Sequence, residues 1–209
     1  MHSDSWLYKD IVDFGHSTPH WVQKLMEMWT EVGLLLFGVL FVAVWWRARQ
    51  SDSRAMALAL LAPVGTAVAY VISEVVKSMI DEERPCRAVA GAAASLIACP
   101  ADGDWSFPSN HATIAGAAAV GIALAVPRLG WFTVPLALLM AFSRVFVGVH
   151  YPHDVLVGLL LGAVVSFAAA KGLGRPVRSL VETMRTSDTA VVTWFTGPGP
   201  GLKSRHRRS

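Results

Sequence analysis

Five stretches of this chain are apolar for long enough to leave water, and that feature restricts the folds open to it more than any other. They fall near residues 31–46, 55–76, 112–126, 131–149 and 155–170. A membrane-spanning helix takes about 17–25 residues. The first and third stretches are a little short, so their ends are expected to extend into the flanking residues. Gly and Ala are frequent in the third and fifth, as where membrane helices pack closely. Only 16% of residues are charged and 54% are hydrophobic, whereas a soluble domain carries about 25% charged residues. The eight Trp suit anchoring at the headgroup level. The expected fold class is all-α integral membrane, a bundle of about five transmembrane helices.

The flanks divide the chain further. Residues 1–29 read as an N-terminal interfacial segment: Trp21, Val22, Leu25, Met26 and Trp29 alternate with His20, Lys24 and Glu27 in the spacing of an amphipathic helix. Residues 30–174 form the transmembrane domain. Residues 175–209, with one short apolar run at 190–195, a GPGPG stretch and many basic residues, are expected to be a largely disordered cytoplasmic tail. Residues 1–23 lack a basic start and an uninterrupted apolar centre, so no signal peptide is expected.

Basic residues give the orientation. Arg47, Arg49, Arg54, Arg128, Lys171, Arg175 and Arg178 fall at alternate helix ends, and Asp81, Glu82, Glu83, Asp102 and Asp104 at the others. The expected protein is multi-pass in the plasma membrane, N-terminus outside and tail inside. The net charge of +3 lies in short loops and the last residues, which reads as topology and attraction to anionic lipid; no nucleic-acid partner is expected. Cys86 and Cys99 lie in one outer connection, either as a disulfide or as two free thiols.

Three polar clusters end the apolar stretches on the outer face: KSMIDEERP (Lys77 to Pro85), PSNH (Pro108 to His111) and SRVFVGVHYPHD (Ser143 to Asp154). Lys77, Arg84 and Arg144 supply fixed positive charge. An Arg inside a membrane helix costs at least about 2.5 kcal/mol, so Arg144 is functional by default. Asp154 is positioned to fix the tautomer of His150 and leave its other nitrogen as nucleophile. Ser109, Asn110 and His111 open a helix whose free N–H groups make an anion cradle, and His111 suits general acid catalysis. Cations beside paired histidines are what phosphoryl transfer needs.

K-x6-RP, PS-x-H and SR-x5-H-x3-D, in this order, resemble the three-part motif of the type-2 phosphatidic acid phosphatase superfamily of membrane lipid phosphatases, over Lys77 to Asp154. The resemblance implies that His150 attacks phosphorus to give a phosphohistidine, held by Asp154. It implies that His111 protonates the leaving oxygen and then activates water. Lys77, Arg84, Arg144 and Ser109, with neighbouring N–H groups, would bind the phosphoryl oxygens, and neither metal nor other cofactor is implied. Asn110 stands where the family usually has Gly; if that position needs φ > 0, Asn is the best tolerated alternative, and its side chain is a further candidate donor to the phosphate.

The partner is expected to be a lipid phosphate or diphosphate in the membrane. An outward-facing site resembles the members acting on undecaprenyl or decaprenyl diphosphate for carrier-lipid recycling in cell-wall synthesis. Phosphatidic acid and phosphatidylglycerophosphate phosphatases share the motifs. His153 and Glu74 are read either as structural residues or as candidates for tuning selectivity. An anionic-lipid binder or transporter would need Arg144 but would have no use for His150 paired with Asp154. No motif bears on oligomeric state.

Overall fold

The computed structural model describes residues 5–200. Its main helices are α1 (Ser5–Ser17), α2 (His20–Ala48), α3 (Ser53–Ile80), α4 (Pro85–Ala88), α5 (Asn110–Ala125), α6 (Gly130–Phe146), α7 (Pro152–Arg185) and α8 (Ala190–Thr196). By length and composition α2, α3, α6 and α7 are able to cross a membrane, and α5 is a shorter apolar helix of 16 residues. These five are the expected spans.

The bundle is built around α5. Its Ala112, Ala115, Ala117, Ala118 and Ile122 are fully buried, and α2, α3, α6 and α7 all pack on it. A helix apolar on every side is a helix buried on every side. The surrounding helices turn large apolar side chains outward, among them Leu35, Val39, Val71, Leu138, Leu160 and Val164. Such a surface suits hydrocarbon. Small residues let α5 and α7 approach closely: a Cβ on Gly116 would meet Leu159 Cα at 3.0 Å, and one on Gly162 would meet Ala117 N at 2.7 Å and overlap the Thr113 carbonyl oxygen.

Helix ends deliver the polar clusters to one end of the bundle. Asp81, at φ 48°, stops α3 just beyond Lys77. Pro85 opens α4 and holds Arg84 extended (φ −66°, ψ 141°), as the residue before proline prefers. Gly148, at φ +85°, reverses the chain between α6 and α7, so the fourth span ends at Phe146 rather than at 149. Pro152 starts α7 and puts Asp154 in its first turn.

Two domain boundaries differ from expectation. Residues 20–29 are the first turns of α2, and the separate N-terminal helix is α1, whose Tyr8 and Val12 are buried. Tyr8 Oη donates to Gly148 O at 2.9 Å, so α1 braces the reversal that carries His150. The segment read as a disordered tail is helical as far as Thr196: α7 runs on to Arg185 and α8 follows. Val177, Leu180, Val181 and Met184 continue the helical apolar spacing, and the many basic residues hid it. Trp194 and Phe195 of α8 pack on Trp45 with centroids 5.8 and 5.5 Å apart, and Arg49 lies over Trp194. Residues 201–209, the rest of that expected tail, lie outside the described residues.

Cys86 and Cys99 form a disulfide, 13 residues apart in sequence. Replacing both by Ser is expected to cost about 3 kcal/mol through the freed unfolded chain. An unfolding midpoint matching that of the parent protein would show that the bridge contributes nothing.

Candidate active site

A cavity of about 240 Å³ opens at the end of the bundle where the three clusters meet; Lys77, Arg84, Asn110, His111, Arg144 and His150 line it with Tyr70 and Asp104. Six of the eight expected site residues therefore surround one space. The other two, Ser109 and Asp154, are fully buried behind it.

Arg84 is 3% exposed. It donates from Nη1 to Val149 O at 3.0 Å and stands 3.1 Å from His150 Nε2. Arg144, in the last turn of α6, donates from Nη1 to Thr30 Oγ1 of α2 at 2.9 Å. Lys77, in the last turn of α3, is 7% exposed. Three helix ends thus aim three cations at one volume, and a phosphoryl group is the natural counter-charge.

His150 is 1% exposed. Its Nδ1 lies 3.3 Å from Asp154 Oδ2, which leaves Nε2 toward the cavity and Arg84. Burial first, then the charges of Arg144, Arg84 and Lys77, hold its imidazole well below the usual value. The ring is therefore neutral at pH 7, with a lone pair available. Asp154 Oδ2 also accepts from Tyr151 N at 2.8 Å and Ser106 Oγ at 2.5 Å. The carboxylate is immobilised by three donors, and it fixes the ring in turn.

PSNH is placed differently from expectation in detail. Ser109 is the N-cap of α5, yet its hydroxyl makes no cap bond and has no partner among the described residues. Its N–H donates to Asp154 O at 3.2 Å, which ties the second cluster to the third. Asn110 needs no left-handed backbone, since Asp81 alone among the described non-Gly residues has positive φ. Its side chain joins α5 to α3, accepting from Ser73 Oγ at 2.7 Å and donating to Glu74 Oε1. Gly could not make that bridge. Glu74, read as a structural residue or a tuning candidate, is an anchor for Asn110.

Two contributors, Asp104 and Ser106, escaped the sequence reading, and a third, His153, was named there without its partners. Asp104 Oδ1 is 2.9 Å from Arg84 Nη2 and 3.4 Å from Lys77 Nζ, and its carbonyl accepts from Arg84 Nε at 2.7 Å. Burial raises the Asp104 carboxyl, but Arg84's hydrogen bond and charge, with the charge of Lys77, outweigh it and hold the group below the usual carboxylate range. Ser106 was given no role. His153 Nε2 lies 3.2 Å from both Glu82 and Asp154 Oδ1, and its ring stacks on Tyr151. No spacing signal marks Asp104 or Ser106, which sit in the irregular connection at 89–109; for His153, adjacency to Asp154 was the available hint.

Residues 58–177 match the family model described as the PAP2 superfamily. The undecaprenyl-diphosphatase of Sulfolobus acidocaldarius is 37% identical over 105 residues, 50% of this chain and 50% of that protein. The chain thus spans about half the length of that relative. Undecaprenyl-diphosphatase BcrC of Bacillus subtilis is 33% identical over 149 residues, 70% of this chain and 72% of that protein. Among solved structures, LpxE of Aquifex aeolicus matches with a TM-score of 0.65 at 20% identity, over 82% of this chain and 96% of that one; at that identity the likeness concerns the fold. The family match takes in every residue from Lys77 to Asp154 that the cavity and its support bring together, and the chain belongs to the PAP2 superfamily.

Proposed function

We propose that this protein is a membrane lipid phosphatase that converts a polyprenyl diphosphate, undecaprenyl or decaprenyl, to the monophosphate through a phosphohistidine, in carrier-lipid recycling for cell-wall synthesis. The observation that carries the reading is His150, neutral and buried, with Nδ1 at Asp154 and Nε2 at Arg84 beside two further cations. The two relatives named undecaprenyl-diphosphatase support a diphosphate lipid as substrate.

The steps follow from these positions. Lys77, Arg84 and Arg144 bind the terminal phosphoryl oxygens, with Ser109 and Asn110 at the start of α5. His150 Nε2 attacks phosphorus, and the bond to the bridging oxygen breaks. His111, lining the same cavity, gives its proton to the departing lipid phosphate. It then takes a proton from a water that attacks the phosphohistidine, releasing inorganic phosphate and restoring His150. In this reading fixed cations stabilise the charge that Mg²⁺ stabilises at other phosphoryl-transfer sites, and no metal is called for.

We place the site on the extracytoplasmic face of the plasma membrane. Arg47, Arg49, Arg54 and Arg128 fall in connections or helix ends at the other end of the bundle, and Lys171 and Arg175, in the second half of α7, line a cavity with Arg54 there, the distribution expected of a cytoplasmic side.

The test is phosphate release by the detergent-purified protein, with EDTA present, from undecaprenyl diphosphate and phosphatidic acid in parallel. EDTA-resistant release, faster from the diphosphate, is the expected result. Faster release from phosphatidic acid would move the substrate to the glycerophospholipids. Retention of both lipids without release would leave an anion binder or transporter.

Asp104 makes a separate prediction. Its carboxylate holds the same N–H groups that the phosphate needs, so substrate must displace it. Asp104→Asn is expected to lower the inhibition constant of inorganic phosphate by about 3- to 10-fold. An unchanged or higher constant would mean that Asp104 only braces Arg84.

A further inference from the structure

A second cavity lies at the other end of the bundle from His150. It measures about 620 Å³, is lined by Arg54, Lys171, Arg175 and Arg178, and has Leu58 and Leu124 among its apolar walls. Arg54 lies in the first turn of α3 and Lys77 in its last, a separation of about 35 Å at 1.5 Å per residue. The groove therefore sits at the opposite headgroup layer from the phosphoryl site.

Its charge is one-sided. Lys171, Arg175 and Arg178 are spaced i, i+4, i+7 on α7 and share one face of the helix. Like charges at that spacing repel. No carboxylate lines the cavity. Arg178 pairs with Glu182, one turn further along α7, at 2.9 Å, whereas Arg54, Lys171 and Arg175 make no ion pair among the described residues. Gly172 and Gly174 also line the groove, and a Cβ added at either would meet nothing within 4 Å. Side chains there would fill the space, so the glycines keep it open. Positive charge for topology alone needs no concave site, no convergence of two helices on it and no apolar wall.

We propose that this groove binds the phosphate headgroup of an anionic phospholipid from the leaflet opposite the catalytic cavity. The cations meet the phosphodiester, and Leu58 and Leu124 meet the start of the acyl chains. A free phosphate shares the charge but has no use for the apolar wall, and so the lipid is the better fit. The bound anion relieves the repulsion along α7 and ties it to α3.

The experiment is thermal unfolding of the full chain in non-ionic detergent, with phosphatidylglycerol, phosphatidylcholine or sodium phosphate added in separate arms. Phosphatidylglycerol is expected to raise the midpoint by about 5 °C, with little change from the other two. Combined Arg54→Gln, Lys171→Gln and Arg175→Gln is expected to remove that shift. Gly174→Leu, which fills the groove and leaves its charge, covers the case in which the triple variant fails to fold, and is expected to remove the shift as well. An equal shift with phosphatidylcholine would overturn the proposal. So would a full shift with inorganic phosphate alone, or an undiminished shift in Gly174→Leu.

Discussion

His150→Ala is expected to lower phosphate release by at least about 10³-fold while the protein still binds its lipid. The side chain is buried, and its two nitrogens meet Asp154 on one side and Arg84 on the other. Its removal takes away the nucleophile but leaves the cations that hold the phosphoryl group. Binding and turnover therefore separate, and that separation distinguishes loss of a nucleophile from collapse of the site. The measurement is a paired one: release rate, and retention of radiolabelled substrate on the purified variant. Residual release above about one tenth of the parent rate would remove His150 from the nucleophile's role. Labelling from a ³²P-diphosphate lipid is expected on the parent protein and absent from the variant.

The second large effect lies away from the chemistry. Gly162→Leu is expected to prevent stable folding, because backbone meets backbone at that point. An added Cβ would overlap the Thr113 carbonyl oxygen and lie 2.7 Å from Ala117 N. Ordinary overpacking costs about 1–3 kcal/mol when side chains can move aside; here α5 and α7 themselves must separate. That separation would also pull the start of α5, with His111, away from Asp154 at the start of α7. Gly38→Leu serves as the control, since a Cβ there meets nothing within 4 Å. The readouts are yield of monodisperse protein and unfolding midpoint. A Gly162→Leu protein with the parent's midpoint would show that α5 and α7 do not approach as described.

The family and its three clusters were legible because they are written locally. Lys77 and Arg84, Ser109 to His111, and Arg144, His150 and Asp154 each occupy a short run of sequence next to an apolar stretch. The five spans were legible for the same reason, although the tail concealed the last turns of α7. There the basic residues carried the composition while Val177, Leu180, Val181 and Met184 carried the helix. Asn110 hid its partners in a similar way. Its identity raised the question of backbone conformation, but its use is a side-chain bridge to Ser73 and Glu74, and nothing near it in sequence names those partners.

Hydrophobicity and covalent spacing are properties of consecutive residues, so the chain alone established a membrane helix bundle with fixed cations and paired histidines at helix ends. Partnership across space is not a property of consecutive residues. Asp104 holding Arg84 and Lys77, Ser106 holding Asp154 and Tyr8 bracing Gly148 all join residues far apart in the chain. They exist only once the close approach of α5 and α7 and the disulfide-bridged connection have fixed where those atoms lie. The groove at the far end arises in the same way, from Arg54 on α3 meeting the basic face of α7.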